Sequence, residues 1–221
     1  MRRLRFTAFA AVAATFAIAV APAGASRLAD PPTEDDSIVL PSRVSNAIHR
    51  AQLLLDASST AIDTGDSVKA LATLKALPAA ITRANKAARA QMNAPVDPNA
   101  EGATPGPDSA VAVLTFDQTA ATTLAGLFDG KAGTIVDALT TPLFAVMNTR
   151  DKLLNAVIAA GADYADGMAD TAAGYDDEVA NLAEALKNDT LSTGGRNVLK
   201  AALAQSQKAQ AAFTAAFGGG E

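Results

Sequence analysis

The stretch AIDTGDSVKALATL, Ala61 to Leu74, carries two helix signals back to back. Asp63-Thr64-Gly65-Asp66 ends one helix, because glycine adopts backbone angles that stop a helix, and Asp66 caps the next. Working back, Val44, Ile48, Ala51, Leu55 and Ile62 recur at helical spacing, with Ser58 the polar member of the stripe. Pro41 stands where a first turn has no use for an N–H. Working forward, Val68, Leu71, Leu74, Ile81, Ala88 and Met92 continue the pattern, and Pro78 predicts a kink. Two helices joined by so short a turn must run antiparallel, so residues 41–93 are expected to form a helical hairpin.

The same grammar continues along the chain. Residues 94–108, APVDPNAEGATPGPD, hold four prolines and two glycines without apolar periodicity and read as a linker. Asp108 or Ser109 is the expected cap of a helix bearing Val111, Leu114, Ala121, Leu124 and Phe128, stopped at Asp129-Gly130. Ile135, Val136 and Leu139 resume the period, Pro142 suggests a break and a fresh cap, and Leu143 to Ile158 carry the stripe on. Val179, Leu182 and Leu186 lead to the turn NDTLSTGG. A last helix, from about Arg196 to Phe217, turns Val198, Leu199, Leu203 and Phe213 inward. Valine and isoleucine never alternate with polar residues, and about a quarter of the chain is alanine, the best helix former. The expected fold class is all-α, an antiparallel bundle of about six helices in which residues 109–217 pack with 41–93 as one domain. The hairpin resembles a tetratricopeptide-type unit, with alanines at close-packing positions. It does not recur, and stacked repeats need at least three copies.

The first 25 residues read as a secretory signal peptide. Arg2, Arg3 and Arg5 precede an uncharged apolar run, and Ala23-Gly24-Ala25 places small residues before a cleavage point at Ala25-Ser26. Residues 26–40, with Pro31, Pro32 and Glu34-Asp35-Asp36, read as a disordered leader. These features predict a protein exported to the periplasm, envelope or exterior, without a transmembrane segment once the signal is removed. The alanine bias fits a GC-rich bacterial genome. Removing the signal would take three of the 18 basic residues and none of the 23 acidic ones, deepening a formal charge that is already −5. Such a chain has no general attraction for nucleic acid. It has no cysteine, so its stability has to come from packing without disulfides.

Most catalytic and metal chemistries lack their residues. His49 is the one histidine, and it lies off the apolar stripe of its helix. With no cysteine, a structural zinc site or a Cys/His nucleophile pair is excluded. AGLFDGKAG, Ala125 to Gly133, lacks the first glycine and the hydroxyl of a phosphate-binding loop and follows a helix where that loop needs a strand. No cofactor is expected. ADYADGMADTAAGYDDE, Ala162 to Glu178, holds both tyrosines and six carboxylates. As a helix it turns Tyr164, Met168, Thr171 and Tyr175 toward the core, with Asp163, Asp166, Asp170, Asp177 and Glu184 on the far face. Gly174 offers a break, after which Asp176, Asp177 and Glu178 would be the acidic first turn of a new helix. With or without the break, the carboxylates are expected to face water.

Charge segregation carries more information. No acidic residue occurs from Ser67 to Val96, where Lys69, Lys75, Arg83, Lys86 and Arg89 all fall, whereas Ala162 to Asp189 holds eight acids and one lysine. Arg83, Lys86 and Arg89, three residues apart, stay near one helix face and are the candidate partner-binding residues. They would suit an anionic envelope polymer, lipid headgroups or another protein. The leading expectation is therefore a non-enzymatic interaction module. One alternative is a carrier of an apolar small ligand in a cavity opened by the kinks at Pro78 and Pro142. Another is a hydrolase using carboxylates alone, with Asp117, Asp137 or Asp151 as candidates.

Overall fold

In the computed structural model, residues 40–92, 106–129, 131, 133–160 and 169–218 are described. The expected signal peptide, the leader up to Val39, and most of the linker lie outside them, as do Asp163, Tyr164, Asp166 and Met168. The elements are α1 (Ser42–Asp63), α2 (Ser67–Met92), α3 (Gly106–Gly126), α4 (Thr134–Ala159), α5 (Ala169–Ala185) and α6 (Thr193–Phe217). All the regular structure among the described residues is helical.

The hairpin turn forms as its residues dictate. Gly65 has φ +74°, a left-handed angle that L side chains rarely adopt, and the Asp66 carboxylate accepts from the Lys69 N–H at 3.0 Å. Ser192 caps α6 in the same manner, accepting from the Gly195 N–H at 3.0 Å. Three local expectations are corrected. Pro142 does not break its helix, because α4 runs through it with Leu139, Leu143 and Val146 buried on either side. Their burial outweighs the roughly 3 kcal/mol that a mid-helix proline costs. Helix α3 starts at Gly106, with Pro107 in its first turn, so Asp108 and Ser109 lie inside the helix. Val68 and Leu71 are not core residues, being 81% and 41% exposed. The buried stripe of α2 is Ala70, Leu74, Leu77, Ile81, Ala84 and Ala88, and Val68 falls on the opposite face.

Two apolar clusters show how the helices alternate. One gathers the second halves of α1, α3 and α5 with the first halves of α2, α4 and α6, from Leu55, Leu74 and Phe128 to Leu143, Leu182 and Leu199. The other gathers the opposite halves, including Val44, Ala88, Leu114, Leu154, Tyr175 and Phe213. Successive helices therefore run up and down. Helix α1 packs on α2 and touches α3; α2 packs on α3 and α4; α5 lies on α3, and α6 spans α4 and α5. Alanines fill many contact positions (Ala51, Ala70, Ala84, Ala120 and Ala202 are all fully buried), letting backbones approach closely.

Candidate functional site

Between the two apolar clusters lies a layer of buried polar side chains, one or two from each of five helices: Asn85 of α2, Asp117 and Gln118 of α3, Arg150 of α4, Glu178 of α5 and Ser206 of α6. Each occupies a core position of its helix. Arg150 falls in the spacing of Leu143, Met147, Leu154 and Val157, and Glu178 in that of Tyr175 and Leu182.

Arg150 is the hub. Its Nη1 donates to Gln118 Oε1 at 2.9 Å and to Glu178 Oε2, with which it forms an ion pair buried on both sides. Nε and Nη2 both donate to Asp151 Oδ1, at 3.1 and 2.9 Å. The guanidinium also lies 4.7 Å over the Tyr175 ring. Glu178 is bound on its other side as well. Gln118 Nε2 donates to Oε2 at 2.7 Å, and the Ser206 hydroxyl donates to Oε1. Burial works against the charged guanidinium, but Glu178, with Tyr175 and Asp151, more than offsets it and holds Arg150 above its ordinary value. Burial likewise pushes the Tyr175 phenol up, against the opposing pull of Arg150. Tyr175 stacks at a tilt on Phe213, 5.3 Å between ring centroids, and Phe213 on Phe217 at 5.2 Å.

The α3–α5 contact explains Gly174. It does not break α5, which runs from Ala169 to Ala185. A Cβ placed on it would stand 2.7 Å from Gln118 Cγ, and the Gly174 carbonyl accepts from the Thr122 hydroxyl at 2.8 Å. Glycine is present so that α5 can lie against the residue that bridges Arg150 and Glu178.

Asp117 adjoins this network. It is fully buried, accepts from Asn85 Nδ2 at 2.6 Å through Oδ2, and has no hydrogen-bond partner at Oδ1. Burial pushes its carboxyl up to about 8, with Asn85 and Arg150 acting in the opposite direction.

The candidate partner-binding residues lie elsewhere. Arg83 and Lys86 are exposed on α2 and rim a shallow recess of about 270 Å³ with Arg43 of α1, Ala87, Ala90 and Gln91. Arg89 is half-buried and not among the lining residues. The described ion pairs are Arg150–Asp151, Arg150–Glu178 and the exposed Lys187–Glu184, so none involves Arg43, Arg83 or Lys86. A second recess, about 140 Å³, sits by the hairpin turn among Ala61, Ile62, Gly65, Ser67, Ala70, Lys131 and Ile135.

Of the carboxylates singled out in the sequence, Asp137 is exposed in the first turn of α4, Asp151 is partly buried on Arg150, and Asp117 is sealed inside. Tyr175 and Thr171 face the core, and Asp176, Asp177 and Glu184 face water. Glu178 overturns the expectation for its stretch. It is fully buried, because Arg150, Gln118 and Ser206 replace the water it would otherwise need. His49 is exposed. Among the described residues no three histidine, aspartate or glutamate side chains are grouped to hold a metal ion, and no helix is long and apolar enough to cross a membrane. No family model, curated protein or solved structure matches the chain.

Proposed function

We propose that the protein is an exported, non-enzymatic interaction module that engages an anionic partner, such as an envelope polymer, through the open end of its α1–α2 hairpin. One observation carries this reading: the recess brings Arg43 of α1 up to Arg83 and Lys86 of α2, and among the described residues no acidic side chain forms an ion pair with any of them. The wider charge pattern supports it. Leu40 to Met92 holds seven basic and three acidic residues, against seven and sixteen from Asn93 to Glu221. The three acids, Asp56, Asp63 and Asp66, all lie in the half of the hairpin nearest its turn. A polyanion is thus attracted to one end of one helix pair and repelled by most of the remaining surface. Arginines suit such a partner, because a guanidinium can hold phosphate, sulfate or carboxylate oxygens in pairs.

The two competing readings draw less support. A carrier of drug-sized apolar ligands needs a cavity of roughly 300–1,000 Å³ with apolar walls. The larger of the two recesses is shallow and edged by cations. A carboxylate hydrolase needs two acids converging within reach of substrate. Of its three candidates, Asp117 is fully buried, Asp151 is held by Arg150, and Asp137 is exposed in the first turn of the same helix, roughly 20 Å along the axis from Asp151. The test is retention of the full chain on an anionic resin and on vesicles containing acidic lipid at low salt. The triple variant Arg43→Ala/Arg83→Ala/Lys86→Ala is expected to elute earlier and wild type to lose retention as salt rises. Identical elution of the two proteins would remove the basic recess as the working surface.

A further inference from the structure

We infer that Asp117 is a neutral carboxylic acid in the folded protein, its proton bonded to the side-chain oxygen of Asn85. The two side chains then form a closed acid–amide pair that locks α2 to α3.

The Asn85 amide nitrogen has two hydrogens, and both are used: Nδ2 donates to the Ile81 carbonyl at 3.1 Å and to Asp117 Oδ2 at 2.6 Å. The remaining oxygens, Asn85 Oδ1 and Asp117 Oδ1, are both buried and both without a partner. With Asp117 ionised, each is an acceptor with no donor, which is costly in a sealed interior. A proton on Asp117 Oδ1 turns one of them into a donor. On this inference the protonated Asp117 Oδ1 donates to Asn85 Oδ1, and that second bond beside the 2.6 Å Nδ2–Oδ2 contact closes the ring. One proton thereby satisfies two orphaned oxygens.

The surrounding charges favour the same state. Arg150 of α4 is the cation whose charge reaches Asp117, but it is hydrogen-bonded to Glu178, Gln118 and Asp151, and its charge is already matched by the buried Glu178 carboxylate. From α5, Glu178 and Tyr175 face the layer; from α2, Asn85 faces it while Lys86 points to water. Ionising Asp117 would therefore leave one uncompensated negative charge in the core. Burial raises its carboxyl from 3.8 to about 8, in keeping with a neutral acid at and below neutral pH. Between those two values the folded protein holds one proton more than the unfolded chain, so the Asp117 contribution is greatest below about 4. It declines as pH rises to about 8 and is level above that. Acidification tightens this joint, and alkali loosens it. Because Asn85 shares a helical turn with Arg83 and Lys86, the joint also holds the α2 side of the basic recess against α3. The inference does not depend on what the recess binds.

The test compares urea unfolding of the full chain for wild type, Asp117→Asn and Asp117→Leu at pH 5, 6.5 and 8. Asparagine reproduces the neutral acid, donating an N–H to Asn85 where the carboxylic acid donates its O–H. Relative to Asp117→Asn, the wild-type unfolding constant is expected to rise about tenfold per pH unit from pH 5 toward 8. Asp117→Asn should therefore be the more stable protein at pH 8. Asp117→Leu should share the flat pH response but be less stable than Asp117→Asn, since it cannot donate to Asn85. In parallel, the ¹³C signal of the Asp117 carboxyl, identified by its loss in Asp117→Asn, should keep the position of a neutral acid at pH 6. Parallel pH curves for wild type and Asp117→Asn, or a carboxylate position at pH 6, would overturn the neutral acid. A leucine variant as stable as the asparagine variant would overturn the closed pair.

Discussion

On α2, Asn85 and Lys86 are neighbours in sequence and belong to different regions of the molecule. Asn85 faces the buried layer, where Arg150 is fully enclosed and held by Glu178, Gln118, Asp151 and the Tyr175 ring. Lys86 faces the recess, where it stands exposed with Arg43 and Arg83 and makes no described ion pair. The layer and the recess thus use the same residue types to opposite ends. A buried charge has to be satisfied by the fold itself, so it fixes which helices meet and at what height. An exposed, unpaired charge fixes nothing in the fold and remains free for a partner.

Substitution should separate the two regions cleanly, beginning with the layer. Arg150→Met strands the Glu178 carboxylate in the core, and Glu178→Leu strands the guanidinium, so each alone is expected to cost about 3–5 kcal/mol in urea unfolding. The double variant should recover much of that loss; if it is as unstable as the sum of the singles, the pair is not the unit described. Next comes Gly174→Ala, whose new methyl collides with Gln118 Cγ at 2.7 Å. Overpacking of this kind is expected to destabilise by about 1–3 kcal/mol, and an unchanged midpoint would show that α3 and α5 can move apart freely. A smaller loss, about 1–2 kcal/mol, is expected for Ser206→Ala, which removes one donor from Glu178 and leaves the ion pair in place. Arg43→Ala/Arg83→Ala/Lys86→Ala stands at the far end of the scale. It should leave the unfolding midpoint where it was while weakening low-salt retention on anionic supports. A triple variant that unfolds early would erase the distinction between the two regions.

Much of the architecture was legible from spacing and punctuation. The hairpin turn at Thr64-Gly65, the stop after Phe128 and the six helices all follow from glycine, capping residues and apolar periodicity. The proline at 142 misled, because a local helix breaker was overruled by burial on both sides. The candidate recess was half legible: three cations at spacing three mark a basic face, but Arg43 lies some forty residues earlier. Its arrival follows only from the antiparallel pairing of α1 with α2, which also leaves Arg89 outside the recess lining. The polar layer left a signal that is easily taken for noise. Asn85, Asp117, Arg150, Glu178 and Ser206 each interrupt an apolar stripe at a core position. Ser58 does the same on α1, yet its hydroxyl is satisfied by the Leu54 carbonyl of its own helix at 2.7 Å.

Sequence alone determined where helices form and the turn that reverses the first two, since those depend on interactions within a few residues, whereas the full length of α4 through Pro142 was settled by packing. It also determined the uneven charge of the two parts of the chain. Which polar residues on those stripes are joined was decided only in the tertiary structure. A buried guanidinium and a buried carboxylate 28 residues apart become one unit when α4 and α5 bring them to the same level with Gln118 and Ser206 around them. Whether Glu178 belongs in water or in the core depends on the partners it meets there, and helical periodicity carries no information about partners on other helices.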